Sequence, residues 1–147
     1  MKNNHMNSVL SIFNQKGLRV TPQRLAIYHY LKQSYSHPTV EMIYNDLKEK
    51  LPNISVTTIY NNLKVFKYAG LVKELTFGDN SSRFETDTSE HCHVICQKCD
   101  EISDLDHPLL EEFREYAVNN SNYNIYFQSF IFYGLCENCK NEKLLQN

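Results

Sequence analysis

The chain has 147 residues, 41% of them hydrophobic and 22% charged, with a formal net charge of −2 and five cysteines. That is enough apolar material for the core of one domain or of two small ones. No run of about 18 apolar residues could span a membrane, and Met1 to Asn14 carry no cleavable leader pattern, so a soluble, cytoplasmic protein is expected, with cysteines that bind metal or do thiol chemistry rather than pair as disulfides.

The near-neutral total hides a division after Phe84. Residues 1–84 hold 11 Lys and Arg against 5 Asp and Glu, a net +6, and residues 85–147 hold 4 against 12, a net −8. One half is suited to face a polyanion and the other is not, although two unlike domains with ordinary surfaces would read the same way. Along the first half, Val9, Leu10, Ile12 and Phe13 give a helix over Asn7–Lys16 that stops at Gly17. Thr21 can cap a second helix with Pro22 at its first position and Leu25, Ile27, Tyr28 and Leu31 on its buried side. Thr39 caps a third, with Met42, Ile43 and Leu47 as apolar positions, and Pro52 to Ile54 make a turn. Ser55 caps a fourth, in which Val56, Ile59, Leu63 and Phe66 fall at helical spacing. That leaves Thr57, Thr58, Tyr60, Asn61, Asn62 and Lys64 on the remaining surface, and Gly70 ends the helix. Leu71–Phe77 and Arg83–Glu85 then flank the turn Gly78-Asp79-Asn80 as two strands. Helices followed by a hairpin predict a winged helix-turn-helix over residues 1–84.

Residues 85–147 read differently. His91–Cys96 and Glu101–Leu105 have the pattern of strands, and Pro108–Asn119 that of a helix with an acidic first turn. Asn124–Leu135, with Ile125, Tyr126, Phe127, Phe130, Ile131, Phe132 and Tyr133, reads as a long aromatic strand, and the tail from Asn141 is polar and loose. The fold class expected for the whole is α+β, the second domain carrying a small antiparallel sheet.

Cys96 with Cys99 and Cys136 with Cys139 are two CxxC pairs separated by 36 residues. Each pair lets two thiolates converge on one ion, and four complete a tetrahedral shell suited to structural zinc, with no open position for chemistry. Two redox motifs or buried free thiols are the competing readings. His91 and His93 form an HxH whose imidazoles share one face of a strand while Cys92 points the other way. Glu85, Asp87 and Asp104 supply carboxylates nearby, and His37 precedes Pro38 between two helices. Imidazole with carboxylate favours reversible binding of Fe(II), Mn(II) or Zn(II); scattered surface histidines on an acidic face would give the same composition. His5, His29 and His107 read as structural or solvated, and Cys92 as a small half-buried side chain.

Together these residues resemble the ferric uptake regulator family, and within it the peroxide-responsive (PerR) branch. The resemblance runs from Gly17–Arg24 to Tyr133–Cys139 and is densest over Ser36–Thr39, Asn53–Lys64 and Gly78–Phe84. It implies a homodimer of subunits with a winged-helix DNA-binding domain, 1–84, and a metal-binding dimerisation domain, 85–147, acting on a palindromic double-stranded operator. The helix beginning near Ser55 would enter the major groove. Thr57, Thr58, Tyr60, Asn61 and Lys64 lie on it, and Arg19, Thr21, Gln23 and Arg24 match the family segment near the phosphates. The four cysteines would hold structural zinc. His37, Glu85, His91, His93 and Asp104 match the regulatory positions for Fe(II) or Mn(II), and a metal joining them would fix the angle between the domains. In the peroxide-responsive branch, iron at this site reduces peroxide and a ligand histidine, His37 or His91, gains oxygen, releasing metal and then DNA; manganese supports DNA binding without reacting. Two departures stand out. Position 85 is Glu where that branch usually has Asp, and Cys92 is unusual within the HxH.

The resemblance implies a repressor of oxidative-stress and metal-homeostasis genes rather than an enzyme. A sensor of iron, manganese or zinc sufficiency without peroxide chemistry is the nearest alternative. A metalloenzyme would need an open coordination position, and a thiol-redox protein would carry disulfides in place of zinc.

Overall fold

Three helices of the first half begin where a hydroxyl can take up a backbone N–H that the helix leaves unsatisfied. Thr21 Oγ1 accepts from the Arg24 amide and starts α2 (Pro22–Gln33); Thr39 Oγ1 accepts from the Met42 amide and starts α3 (Val40–Leu47); Ser55 Oγ accepts from the Thr58 amide and starts α4 (Val56–Tyr68). All three caps stand where the sequence puts them. The preceding helix, α1, spans Lys2–Gln15 and so begins earlier than the apolar spacing alone suggests. The computed structural model describes residues 2–76, 81–107, 109–126 and 128–144, and the chain divides into two compact units, Met1–Thr88 and Ser89–Asn147.

In the first unit, α1 and α4 end alike. Gly17 and Gly70 take φ of +65° and +69°, a conformation open to residues without a Cβ. The amides of Leu18 and Leu71 then reach back to the carbonyls of Phe13 and Phe66, at 2.8 and 2.9 Å. The same two phenylalanines form the centre of the core. Phe13, Phe66 and Tyr28 pack as a ring triad with centroids 5.2 to 5.7 Å apart, surrounded by Ile27, Leu31, Ile43, Ile59 and Leu63. A short hairpin, β1 (Lys73–Thr76) with β2 (Ser82–Glu85), completes the winged helix-turn-helix, and Phe84 on β2 joins the core. The turn expected at Gly78 to Asn80 lies outside the described residues.

Three expectations for this unit need correction. Asn62, expected on the surface, is 8% exposed, because it stands three residues after Ile59 and four before Phe66 on the buried face. Val56 and Met42, expected inside, are exposed at the ends of their apolar stripes, and Val40 is buried instead of Met42.

In the second unit, β3 (Cys92–Cys96) is the central strand. β4 (Ile102–Leu105) pairs with it antiparallel, and β5 (Phe130–Gly134) pairs with its other edge in parallel, giving the order β4-β3-β5. The small sheet is therefore mixed rather than wholly antiparallel. Helix α5 (Leu110–Asn120) supplies the crossover that a parallel pair requires, with Glu111 and Glu112 in its first turn. The expected start at Pro108 lies outside the described residues. Phe127 lies outside the described residues, and of the long aromatic strand expected over Asn124–Leu135 the described ones form only the five of β5. Each of those matches one residue of β3, from Cys92–Phe130 to Cys96–Gly134, and β3 offers no further partner. Tyr126, beyond the paired part, is 88% exposed. The polar tail expected to be loose from Asn141 is helical as far as Leu144, where α6 (Glu137–Leu144) ends, and its last three residues lie outside the described residues.

Replacing Phe66 with Ala should destabilise the first unit by roughly 3–5 kcal/mol, read as the shift in urea unfolding followed by far-UV circular dichroism. A shift below about 1 kcal/mol would mean that the triad is not the centre of that core.

Candidate functional site

Cys96 closes β3 and lies opposite Gly134 of β5. The chain then turns tightly, with the Asp100 amide donating to the Cys96 carbonyl at 2.9 Å and Asp100 itself at φ +58°. That turn brings Cys99 round beside Cys96. On the other side, β5 runs into Cys136, and α6 carries Cys139 back over it. All four Sγ atoms lie within 4.8 Å of one another, and none is in a disulfide. The Cys99 and Cys136 sulfurs are 3.7 Å apart, close to the edge of about 3.8 Å of a tetrahedron with Zn–S bonds of about 2.3 Å. Backbone N–H groups of Cys136, Cys99 and Lys98 hold the Cys96 thiol down to about 6, whereas burial and the neighbouring sulfurs push Cys139 well up. At Cys139 burial first, and then the neighbouring sulfurs, resist ionisation, and a divalent cation offsets both. The donor set fits zinc.

The nitrogen and oxygen ligands fall into two groups. In the first unit, His37 Nε2 and Glu85 Oε2 are 3.0 Å apart, both buried. His37 has φ +49°, unusual for a residue with a Cβ. Its two successors hold it there: the Pro38 carbonyl accepts from the Phe84 amide at 3.1 Å, and Thr39 bridges Arg83. The turn before α3 is thereby pinned along β2, and His37 meets Glu85. In the second unit, His91 Nε2 and His93 Nε2 lie 3.5 and 3.7 Å from Asp104 Oδ1, with ring centroids 4.6 Å apart. His93 and Asp104 are direct cross-strand partners. These separations are long for hydrogen bonds but match ligands about 2.1 Å from a shared ion. His91 Nδ1 donates to the Ser89 carbonyl at 3.1 Å, which leaves Nε2 as the basic nitrogen of the neutral ring. Two imidazoles and a carboxylate are a donor set for Fe(II), Mn(II) or Zn(II). Asp87, the other candidate carboxylate, is exposed.

On α4, Thr57, Tyr60, Asn61 and Lys64 are exposed on one side and Thr58 is half-buried in the first turn. Arg19 is exposed in the loop before α2. Thr21 is occupied as the α2 cap, Gln23 donates to the Asn53 carbonyl, and Arg24 donates to Asn62 Oδ1 and the Arg19 carbonyl. Asn62 escapes sequence reasoning as a working residue, because an amide between apolar positions reads as surface. Its spacing from Ile59 and Phe66 is the signal that could have found it.

The model of the ferric uptake regulator family matches residues 15–133. The chain is 46% identical over 133 residues to the peroxide-responsive repressor PerR of Staphylococcus epidermidis, covering 90% of this chain and 89% of that one. Among solved structures, it overlays the ferric uptake regulator Fur of Vibrio cholerae with a TM-score of 0.70 at 29% identity, over 84% of this chain and 96% of that chain. It overlays the peroxide sensor PerR of Streptococcus pyogenes with a TM-score of 0.53 at 32% identity, over 91% and 92%.

Protein purified without chelator should hold one zinc through the four cysteines, and Cys96→Ser should lose it, measured by metal content per subunit. The same variant should lose amide protection in β3, β5 and α6 during hydrogen exchange while α1 to α4 keep theirs. A zinc-free variant with a fully protected sheet would show that the sulfurs do not staple this unit.

Proposed function

The chain belongs to the ferric uptake regulator family, and on that premise we propose that it is a cytoplasmic, homodimeric, metal-dependent repressor of the peroxide-responsive kind, not an enzyme. The observation that carries the reading is the division of the nitrogen and oxygen ligands. His37 and Glu85 belong to the basic unit that holds α4, and His91, His93 and Asp104 belong to the acidic unit with the sheet. One regulatory ion drawing on both sets would couple metal occupancy to the pose of the DNA-binding unit, since a ligand shifts an equilibrium toward the state in which its partners converge.

The residues divide the remaining work. Lys64 and Arg19, exposed on the basic unit, suit phosphate contacts, which give salt-dependent affinity. Asn61 suits an adenine edge in the major groove, with Thr57, Thr58 and Tyr60 beside it. Thr21 starts α2, and Gln23 and Arg24 join α2 to the turn before α4 and to α4 itself. In the second unit, Tyr116, Tyr123, Phe132 and Tyr133 are exposed large apolar side chains, as expected of a surface that meets a second subunit. Iron(II), when bound, supplies the reduction of peroxide beside its ligands. His37 and His91 are the nearest oxidisable rings, and a His37 that has gained an oxygen no longer ties the DNA-binding unit to the ion. Zinc at the four cysteines keeps the sheet in place throughout. Glu85 carries one methylene more than the Asp usual in the peroxide-responsive branch, and that favours, as second reading, a sensor of metal sufficiency that does not react with peroxide.

Iron-loaded protein given low peroxide should gain one oxygen on the peptide with His37 or His91, seen by mass spectrometry, and should leave DNA; the manganese form should do neither. Intact histidines with oxidised Cys92 or zinc thiolates would transfer the assignment to the sufficiency sensor. Asn61→Ala should cost about 1–3 kcal/mol of discrimination at one base pair per half-site, measured by competition binding. Equal losses on specific and random duplexes would exclude base reading by Asn61.

A further inference from the structure

Arg24 lies in a segment whose cations are natural candidates for phosphate contact, yet two of its donors are engaged inside the first unit. Its Nε donates to Asn62 Oδ1 at 2.9 Å, and its Nη1 to the Arg19 carbonyl at 2.8 Å. Asn62 is buried on the inner face of α4, and its Nδ2 donates to the Thr58 carbonyl one turn earlier, at 2.8 Å. Gln23, next to Arg24, donates to the Asn53 carbonyl in the turn that leads into α4, at 3.4 Å. The first turn of α2 therefore grips α4 and its approach, and Arg24 also grips the loop that carries Arg19.

We propose that Arg24 is a positioning residue for sequence reading. Through Asn62 it sets the rotation of α4 about its own axis, and through the Arg19 carbonyl it sets the adjacent loop in the same frame. This rests on the DNA-binding reading above and adds to it a determinant of specificity that never touches a base. The apolar contacts of Ile59, Leu63 and Phe66 hold α4 against the core without strong directionality. Hydrogen bonds to a buried amide are directional, and a half-satisfied one is costly, so they select one rotation. Asn61 is the immediate neighbour of Asn62, and any rotation that strains the Arg24 contact displaces the side chain that faces DNA. The planar guanidinium spans Asn62 and the Arg19 carbonyl together. A lysine keeps the charge but offers one compact ammonium on a flexible stem.

The test compares Arg24→Lys and Arg24→Gln in the full-length protein loaded with zinc and manganese. A duplex enriched by the wild type from a randomised pool and a random-sequence duplex serve as probes across a salt series. Positioning predicts that both variants lose about tenfold in discrimination between the duplexes, with the logarithmic salt slope unchanged. If Arg24→Lys keeps wild-type discrimination and Arg24→Gln lowers the slope by about one, Arg24 is a phosphate contact and the proposal falls. A second measurement does not depend on DNA. In Arg24→Lys, the Asn62 side-chain amide and the backbone amides of Thr57 to Asn62 should shift in nitrogen–proton correlation spectra, and unshifted resonances would overturn the proposal. A wild type that enriched no sequence would defeat the repressor reading, and the amide shifts would still decide whether Arg24 sets α4.

Discussion

A sheet of three short strands must be held by something more than its own interior. In Ser89–Asn147 the buried apolar side chains among the described residues are Ile95, Ile102 and Leu110, together with Cys92, Cys96 and Cys139. Half of that interior is sulfur. In the first unit, by contrast, the cluster around Phe13 and Phe66 draws on every helix and on the hairpin. Small units with so little core are stabilised by metal, by cross-links or by a partner surface. The four thiolates therefore carry the structural burden in the second unit: they tie the end of β3, the turn after it, the end of β5 and the start of α6 to a single point. The exposed aromatic residues of the same unit are the complement of that deficit, since side chains too large for so small an interior are available to a second subunit.

The regulatory ligands follow a different logic. None of them adds to a core of apolar contacts, and one is held at an energetic cost, since a non-glycine residue at φ +49° forfeits about 1–3 kcal/mol relative to ordinary backbone. The contacts of Pro38 with Phe84 and of Thr39 with Arg83 compensate, fixing His37 on Glu85. The histidine is thus prepared as a ligand before any ion arrives. His91 is prepared likewise by the Ser89 carbonyl, which selects its tautomer. Preparation of this kind lowers the entropic cost of gathering ligands and lets a reversible donor set compete for a scarce ion.

Much of this is legible in the residues because the chemistry is local. Thr21, Thr39 and Ser55 announce helix starts through their hydroxyls, Gly17 and Gly70 announce ends through their backbone freedom, and paired CxxC motifs announce a shared ion. The HxH at His91 and His93 is local too, and its alternation on a strand is enough to place both rings on one side. Features that depend on a partner elsewhere are not legible in this way. The length of β5 is set by the length of β3, so eight aromatic and aliphatic residues over Asn124–Leu135 do not by themselves specify a long strand. The parallel sense of that pair depends on the crossover, which periodicity does not report. Asn62 reads as a surface amide because its inward position becomes tolerable only once Arg24, on another helix, supplies a donor.

The parallel pairing of β3 with β5 has a consequence in time. Its partners stand 38 positions apart, as Cys92 and Phe130 do, and such distant pairings are slow to find because the intervening loop must be closed before any contact rewards it. The first unit leaves the ribosome first, and domains generally fold as units in the order in which they are made. A newly made chain therefore acquires its basic, DNA-facing unit before its sheet, and during that interval the edge of β3 and the aromatic residues of β5 are open to wrong associations. Zinc captured by the cysteine pairs shortens the interval by bringing the two distant strand ends together. Folding of the sheet is in this way tied to metal binding, quite apart from any signal the mature molecule detects.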